Sequence, residues 1–223
     1  MKQTSAKLPI SMALIACIVC ALGFSLIALW VSDHQVRHFD DKIISDIERL
    51  QSPVMTRLMK FFTIIGSGIP VVFIILIAMF VLHRVLRHRQ ELLFLAIAVL
   101  GSVLLNTVLK LLFHRARPEI NRIIEANGYS FPSGHSMTAF SMYAALTFLL
   151  WKHIPSALGR ILLIVLSSLF ILAIGISRIY LGVHYPSDVL GGYFMSGCWI
   201  AACIWLYQRY EERRYRLRTK STA

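Results

Sequence analysis

Apolar residues in this chain fall into long runs separated by short polar stretches. A helix needs about 20 apolar residues to cross a hydrocarbon core roughly 30 Å thick. Six runs of that order stand out, at about 8–31, 61–82, 92–113, 131–151, 161–177 and 189–207, the fourth and fifth being shorter and polar at one end. The stretch 33–60 behaves differently. Phe39, Ile43, Ile47, Leu50, Val54 and Leu58 recur at spacings of three and four with charges on the opposite face, the signature of an amphipathic helix. It predicts one interfacial helix or a pair of them on the outer leaflet, with Pro53 as a kink. Such a segment either simply rests on the membrane or guides substrate, and amphipathicity does not separate the two. Pro9, Trp30 and Trp151 stand near span ends, as helix starts and interfacial anchors do. The expectation is an all-α polytopic membrane protein: one domain over 1–223, six transmembrane helices and an extracytoplasmic interfacial helical segment, with no internal repeat. Lys2 and Lys7 precede the first run as in a signal peptide. The run is longer than the usual h-region of about 7–15 residues and no small-residue cleavage site follows, so a retained helix is expected.

Composition excludes the competing classes. The 223 residues are 57% hydrophobic and only 15% charged, with a mean hydropathy of +0.67, outside the range of water-soluble domains and of disordered chains. The net charge of +12 invites nucleic acid, anionic lipid or an anionic substrate as partners, and the placement of charge decides among them. With six spans both termini share a side, which carries thirteen Lys and Arg against three acids and so accounts for +10 of the +12. By the positive-inside rule the termini are cytoplasmic and the longer loops face outward. The basic tail from Arg209 reads as a topology anchor beside anionic lipid. No aromatic binding platform accompanies it, so no nucleic-acid partner is expected. Cys17, Cys20, Cys198 and Cys203 lie within apolar runs without zinc or disulfide spacing, and read as packing residues.

The candidate chemistry sits at the ends of the last four spans, in Lys110, Arg117, Ser133, His135, Ser177, Arg178, His184 and Asp188. Alternating the spans brings every one of them to the outer face, and ionisable groups at membrane depth are functional candidates by default. Lys110, Arg117 and Arg178 suit a dianionic multi-oxygen group such as phosphate. Ser133 and Gly134, following Pro132 at a helix start, add a hydroxyl and free backbone N–H groups. Chemistry on phosphate needs a nucleophile and a proton donor. Asp188 lies four residues after His184 and can fix its tautomer, leaving the other ring nitrogen free. That asymmetry marks His184 as nucleophile and His135 as general acid. A zinc site built from His135, His184 and Asp188 is disfavoured by three nearby cations, and no metal or other cofactor is expected. Taken alone, Lys110 reads equally as a snorkelling interfacial residue. His83, His88, His114 and His153 read as structural, and Arg115 and Arg122 as solvated outer-loop charges.

Three motifs now stand in order: KLLFHRARP from Lys110 to Pro118, PSGH from Pro132 to His135, and SRIYLGVHYPSD from Ser177 to Asp188. As K-x6-R-P, PSGH and SR-x5-H-x3-D they resemble the three-part signature of the type 2 phosphatidic-acid phosphatase superfamily, which also includes vanadium haloperoxidases. The resemblance implies phosphate binding by Lys110, Arg117 and Arg178 with help from Ser133 and Gly134. It further implies attack by His184 to give a phosphohistidine, support from Asp188, proton donation by His135, and metal-independent hydrolysis. Six spans and an outward site are similar to the bacterial membrane members of the phosphatidylglycerophosphatase B and undecaprenyl-diphosphate phosphatase kinds. The expected partners are therefore the bilayer and a phosphorylated membrane lipid as substrate. A protein that binds or carries such a lipid without cleaving it is the alternative of another class. The short loop 119–131 leaves little room for a lid.

Overall fold

The computed structural model describes residues 10–33, 35–84, 89–119 and 121–220. Lys2, Lys7, Pro9, Arg87 and His88 lie outside them. Among the described residues eight helices form and there is no strand: α1 Ile10–Ser32, α2 Arg37–Glu48, α3 Pro53–Ile65, α4 Gly68–Arg84, α5 Arg89–Phe113, α6 Gly134–Trp151, α7 Ala157–Tyr180 and α8 Pro186–Lys220. By length and composition four of them, α1, α5, α7 and α8, suffice to cross a membrane. A fifth span results if α3 and α4, bent by 55° at their junction, are taken as one. The all-α class follows the apolar pattern, while four or five of the six expected spans meet the length and composition of a membrane crossing.

Two expectations are corrected. The second apolar run is not one helix, because the chain breaks at Gly66 and Ser67, where weak helix formers interrupt the ladder. Nor does Pro53 kink a continuous amphipathic helix. Ser52 caps α3, its hydroxyl accepting from the Met55 N–H at 3.2 Å, and Pro53 takes the first helical position, where its missing N–H costs nothing. The predicted apolar stripe divides accordingly. Phe39, Ile43 and Ile47 on α2 are half-buried, whereas Leu50, Val54 and Leu58 are exposed.

Close helix contact depends on small residues, as it does where lipid tails compete with side chains for apolar surface. A Cβ on Gly23 of α1 would lie 2.5 Å from the Phe194 ring of α8, and one on Gly197 of α8 would lie 2.7 Å from Cys20 Sγ. Cys17 and Cys198 meet in the same seam with their sulfurs 3.6 Å apart, which bears out a packing role. One core, including Leu82, Leu95, Ala98, Met142, Leu149 and Ile200, ties α4, α5, α6 and α8 together. Two smaller clusters flank the opposite end of the bundle. Phe24, Leu109 and Phe131 lie on one side, with Phe131 stacked on Phe24 at 5.8 Å and edge-on to Phe113 at 4.9 Å. On the other, Tyr180, Leu181 and Val183 pack on Ile47 of α2 and on Met55 and Met59 of α3. These clusters hold the two turns that carry the polar site.

Candidate active site

Four helix ends converge between those clusters: the C-termini of α5 and α7, and the N-termini of α6 and α8. The α7 to α8 turn is tight. Gly182 has φ +73°, and a Cβ there would lie 2.6 Å from the Asn121 carbonyl oxygen, so the turn needs glycine. It delivers His184, 2% exposed, one turn ahead of Asp188, fully buried at the start of α8. His184 Nδ1 lies 3.2 Å from Asp188 Oδ2. The other ring nitrogen, Nε2, lies 3.1 Å from Arg117 Nη1. A guanidinium only donates, so Nε2 is the acceptor and Nδ1 carries the proton, an assignment made from the hydrogen-bond network. Burial, reinforced by the Arg117 and Arg178 charges and opposed by Asp188, holds the His184 imidazole down at about 4. The ring is therefore neutral at physiological pH, with its Nε2 lone pair directed at a cation.

Asp188 is itself fully engaged. Oδ2 also accepts from the Tyr185 N–H at 2.8 Å and from the Ser130 hydroxyl, and Oδ1 accepts from Arg115 Nη1 at 2.7 Å. Arg117 is tethered by its loop. Its Nε donates to the Gly128 carbonyl at 2.9 Å, Nη2 to Asn127 at 3.1 Å and Nη1 to Val183 at 2.8 Å. The carbonyls of Asn127, Gly128 and Val183 thus brace a cation over the histidine.

Ser133 caps α6. Its hydroxyl oxygen accepts from the Ser136 N–H and hydroxyl at 3.5 and 2.9 Å, which leaves its own proton to donate. The Ser133 N–H binds the Asp188 carbonyl at 3.0 Å, and the first intrahelical bond of α6 runs from Met137 to the Ser133 carbonyl. Gly134 and His135 therefore present backbone N–H groups ahead of the helical ladder. Asn106 of α5 secures this turn by donating to the Pro132 carbonyl at 3.0 Å. A Cβ on Gly134 would lie 3.0 Å from Asn106 Oδ1.

Arg178, at the end of α7 and 5% exposed, donates through Nη1 to Thr63 of α3. Its buried Nε has no hydrogen-bond partner among the described residues. An unmade charged donor costs more than about 1–3 kcal/mol, and an anion's oxygen would recover it. Lys110 interacts electrostatically with Arg117, Arg178 and Asp188, and His135 with Arg178, His184, Lys110 and Arg117. All eight residues singled out as catalytic or phosphate-binding thus meet at one end of the bundle.

One expectation fails. Arg115 is not a solvated loop charge: its side chain is 15% exposed, pairs with Asp188 and with Asp40 of α2 at 2.7 and 2.8 Å, and lies 4.1 Å from the Tyr185 ring centroid. Arg122 is exposed, as expected, and donates to the Pro118 carbonyl. His114, with φ +47°, sets its ring edge-on to Tyr129 at 4.5 Å, a structural role. Sequence reading missed Arg115, Asp40, Ser130, Thr63 and Asn106. Only Arg115 left a local signal, by standing two residues before Arg117 in HRARP.

Known proteins resemble this chain in sequence and in fold. The sequence model described as "PAP2 superfamily" matches residues 91–212. The phosphatidylglycerophosphatase B of Bacillus subtilis (strain 168) is 30% identical over 204 residues, which cover 89% of this chain and 96% of that protein. A putative undecaprenyl-diphosphatase of Escherichia coli (strain K12), YbjG, is 37% identical over 137 residues, covering 55% of this chain and 64% of the relative. The crystal structure of a transmembrane PAP2-type phosphatidylglycerolphosphate phosphatase from Bacillus subtilis superposes with a TM-score of 0.74 at 28% identity, over 88% of this chain and 96% of that one.

Proposed function

Because the chain belongs to the PAP2 superfamily and is a membrane lipid phosphatase, we propose that the converging helix ends are its active centre and that it removes the terminal phosphate of phospholipid monoesters such as phosphatidylglycerophosphate. Lys110, Arg117, Arg178, the Ser133 hydroxyl and the Gly134 N–H hold the phosphate oxygens. As the phosphate arrives, Arg117 Nη1 turns from His184 Nε2 to an oxygen and frees the lone pair. Nε2 bonds to phosphorus and the bond from phosphorus to the lipid oxygen breaks. His135 gives its proton to that leaving oxygen. The imidazolium that forms is stabilised by Asp188. Water then attacks the phosphohistidine, His135 takes the water's proton, and inorganic phosphate leaves. No step calls on a cofactor.

The observation that carries this reading is the His184 and Asp188 pair with Nε2 facing Arg117, because a protein that only binds phosphorylated lipid has no use for a tautomer fixed toward its anion site. The membrane arrangement proposed with it has six spans, both termini in the cytoplasm and the site at the outer face. The 18 residues of α6 rise roughly 27 Å, close to the hydrocarbon thickness. Polar Gly134, His135 and Ser136 at its mouth explain its lower hydropathy. The 35 residues of α8 exceed any span, so its basic end extends into the cytoplasm in keeping with the charge bias.

Undecaprenyl diphosphate is the second reading, favoured by the YbjG match. Near full-length coverage of the Bacillus subtilis relative favours the first. Phosphate release should be measured with detergent-solubilised protein on phosphatidylglycerophosphate, phosphatidic acid and undecaprenyl diphosphate in parallel, with EDTA present and His184→Ala as control. The reading expects release that survives EDTA, is fastest on the first substrate and vanishes in the variant. Wild-type release by His184→Ala would refute it.

A further inference from the structure

We propose that Asp40, on the amphipathic helix α2, is a positioning residue for catalysis: it acts through Arg115 to fix the Asp188 carboxylate and so the His184 ring. The inference rests on the function proposed above. Asp40 is fully buried, and each of its acceptors is used. Oδ1 accepts from the Ser187 N–H at 2.9 Å, and Oδ2 from the Ser187 hydroxyl at 2.7 Å and from Arg115 Nη2 at 2.8 Å. Arg115 Nη1 reaches both the Ser187 hydroxyl and Asp188 Oδ1 at 2.7 Å. Four charged or titratable groups thus form one line: Asp40, Arg115, Asp188, His184.

A planar guanidinium shared between two carboxylates is held in one orientation by its fork geometry. With Asp40 present, Arg115 divides its charge between two anions. Without that anion, Arg115 is free to follow Asp188 and to compete with His184 for it, loosening the partner that sets the tautomer. The second link is mechanical. Asp40 grips the first turn of α8 through Ser187, immediately before Asp188, so α2 braces the turn from outside the bundle. This gives the amphipathic segment a role beyond lying on a membrane. At metal sites, partners that orient a ligating side chain through a hydrogen bond typically affect activity by about 10–100-fold, and an effect of the same order is expected for a group that orients the His184 partner.

The test compares Asp40→Asn, Arg115→Gln, the double variant, and Asp41→Asn, whose exposed neighbouring carboxylate serves as control. Asp40→Asn is expected to lower kcat about tenfold with KM within about twofold, since the phosphate ligands are untouched. Arg115→Gln should lose more, and adding Asp40→Asn to it should cost nothing further, because residues acting as a unit are not additive. Asp41→Asn should match wild type. If Asp40→Asn fails to insert, Arg115→Lys asks the same question: it keeps the charge but lacks the planar fork that fixes both carboxylates in one orientation, and should lower kcat while KM holds. Wild-type kcat in folded Asp40→Asn or Arg115→Lys, additive losses in the double variant, or a loss confined to melting temperature would overturn the proposal. An active His184→Ala would instead overturn the function on which it rests.

Discussion

Replacing Asp188 by asparagine separates chemistry from architecture at this site. The carboxylate accepts from four donors: Arg115 on Oδ1, and Tyr185 N–H, Ser130 and His184 Nδ1 on Oδ2. An amide has a single oxygen. If that oxygen keeps the Oδ2 position, its NH2 group faces Arg115 Nη1, donor against donor, and no negative charge remains to stabilise a phosphorylated imidazolium. If the amide turns over, NH2 faces His184 Nδ1, which must then accept, so the ring proton moves to Nε2 and occupies the attacking lone pair. Both arrangements remove catalysis. The nearest general measure is the loss of about 10⁴-fold in kcat when the acid of a serine-protease triad is amidated, or roughly 5 kcal/mol at 1.36 kcal/mol per factor of ten. The structural penalty is smaller, about 1–3 kcal/mol for a buried donor left unmatched, and Arg115 keeps Asp40 as a partner. Folded Asp188→Asn protein with its helical circular dichroism intact should therefore show kcat lower by about 10⁴-fold in a lipid phosphate-release assay. A kcat within about tenfold of wild type would refute the reasoning that Asp188 sets the His184 tautomer.

Four further outcomes follow from the same geometry. His184 should stay neutral down to about pH 4, so its imidazole ¹⁵N shifts at pH 5.5 should be those of a neutral ring, and a midpoint near the ordinary value would contradict the buried pair. Because an unfolded chain takes up that proton near its ordinary value of about 6.5 and the folded one does not, stability should fall as pH drops from about 6.5 toward 4, which a series of thermal melts would detect. Arg178→Ala should lower kcat/KM about 10–100-fold by removing charged hydrogen bonds to phosphate, and unchanged inhibition by inorganic phosphate would count against that role. Gly182→Ala should lower the melting temperature, since its φ of +73° and the 2.6 Å approach to the Asn121 oxygen leave no relaxed place for a methyl group; an unchanged melt would contradict the turn geometry.

The bundle was legible because membrane helices advertise themselves by length and apolarity, and the site because its members sit at fixed spacings within three short segments. His184 and Asp188 needed only the helical repeat to be paired. The alternation of spans brought the rest to one end, where the structure places them. What stayed hidden was carried by tertiary contact. Asp40 and Asp41 are adjacent, one buried and one exposed, and nothing local distinguishes them, because Asp40's partners lie 75 and 147 residues away. Arg115 read as a loop charge for the same reason: its two carboxylates belong to α2 and α8. Thr63 stood inside an apolar run that looked like the start of a span, and its contact with Arg178 exists only because the chain breaks at Gly66 and α3 leans on α7. The amphipathic stripe of 33–60 was real in period but was divided by the Ser52 and Pro53 helix start, a local signal that outweighs hydrophobic periodicity.

The central claim is that His184 carries the phosphoryl group between substrate and water. It is tested most directly by mixing enzyme with ³²P-labelled lipid phosphate, quenching in alkali, where phosphohistidine survives, and locating the label by peptide mass spectrometry. The account predicts label on the peptide containing His184 in wild-type protein and none in His184→Ala. Steady turnover with the label on another residue, or with none on the protein under conditions that trap the intermediate, would contradict it.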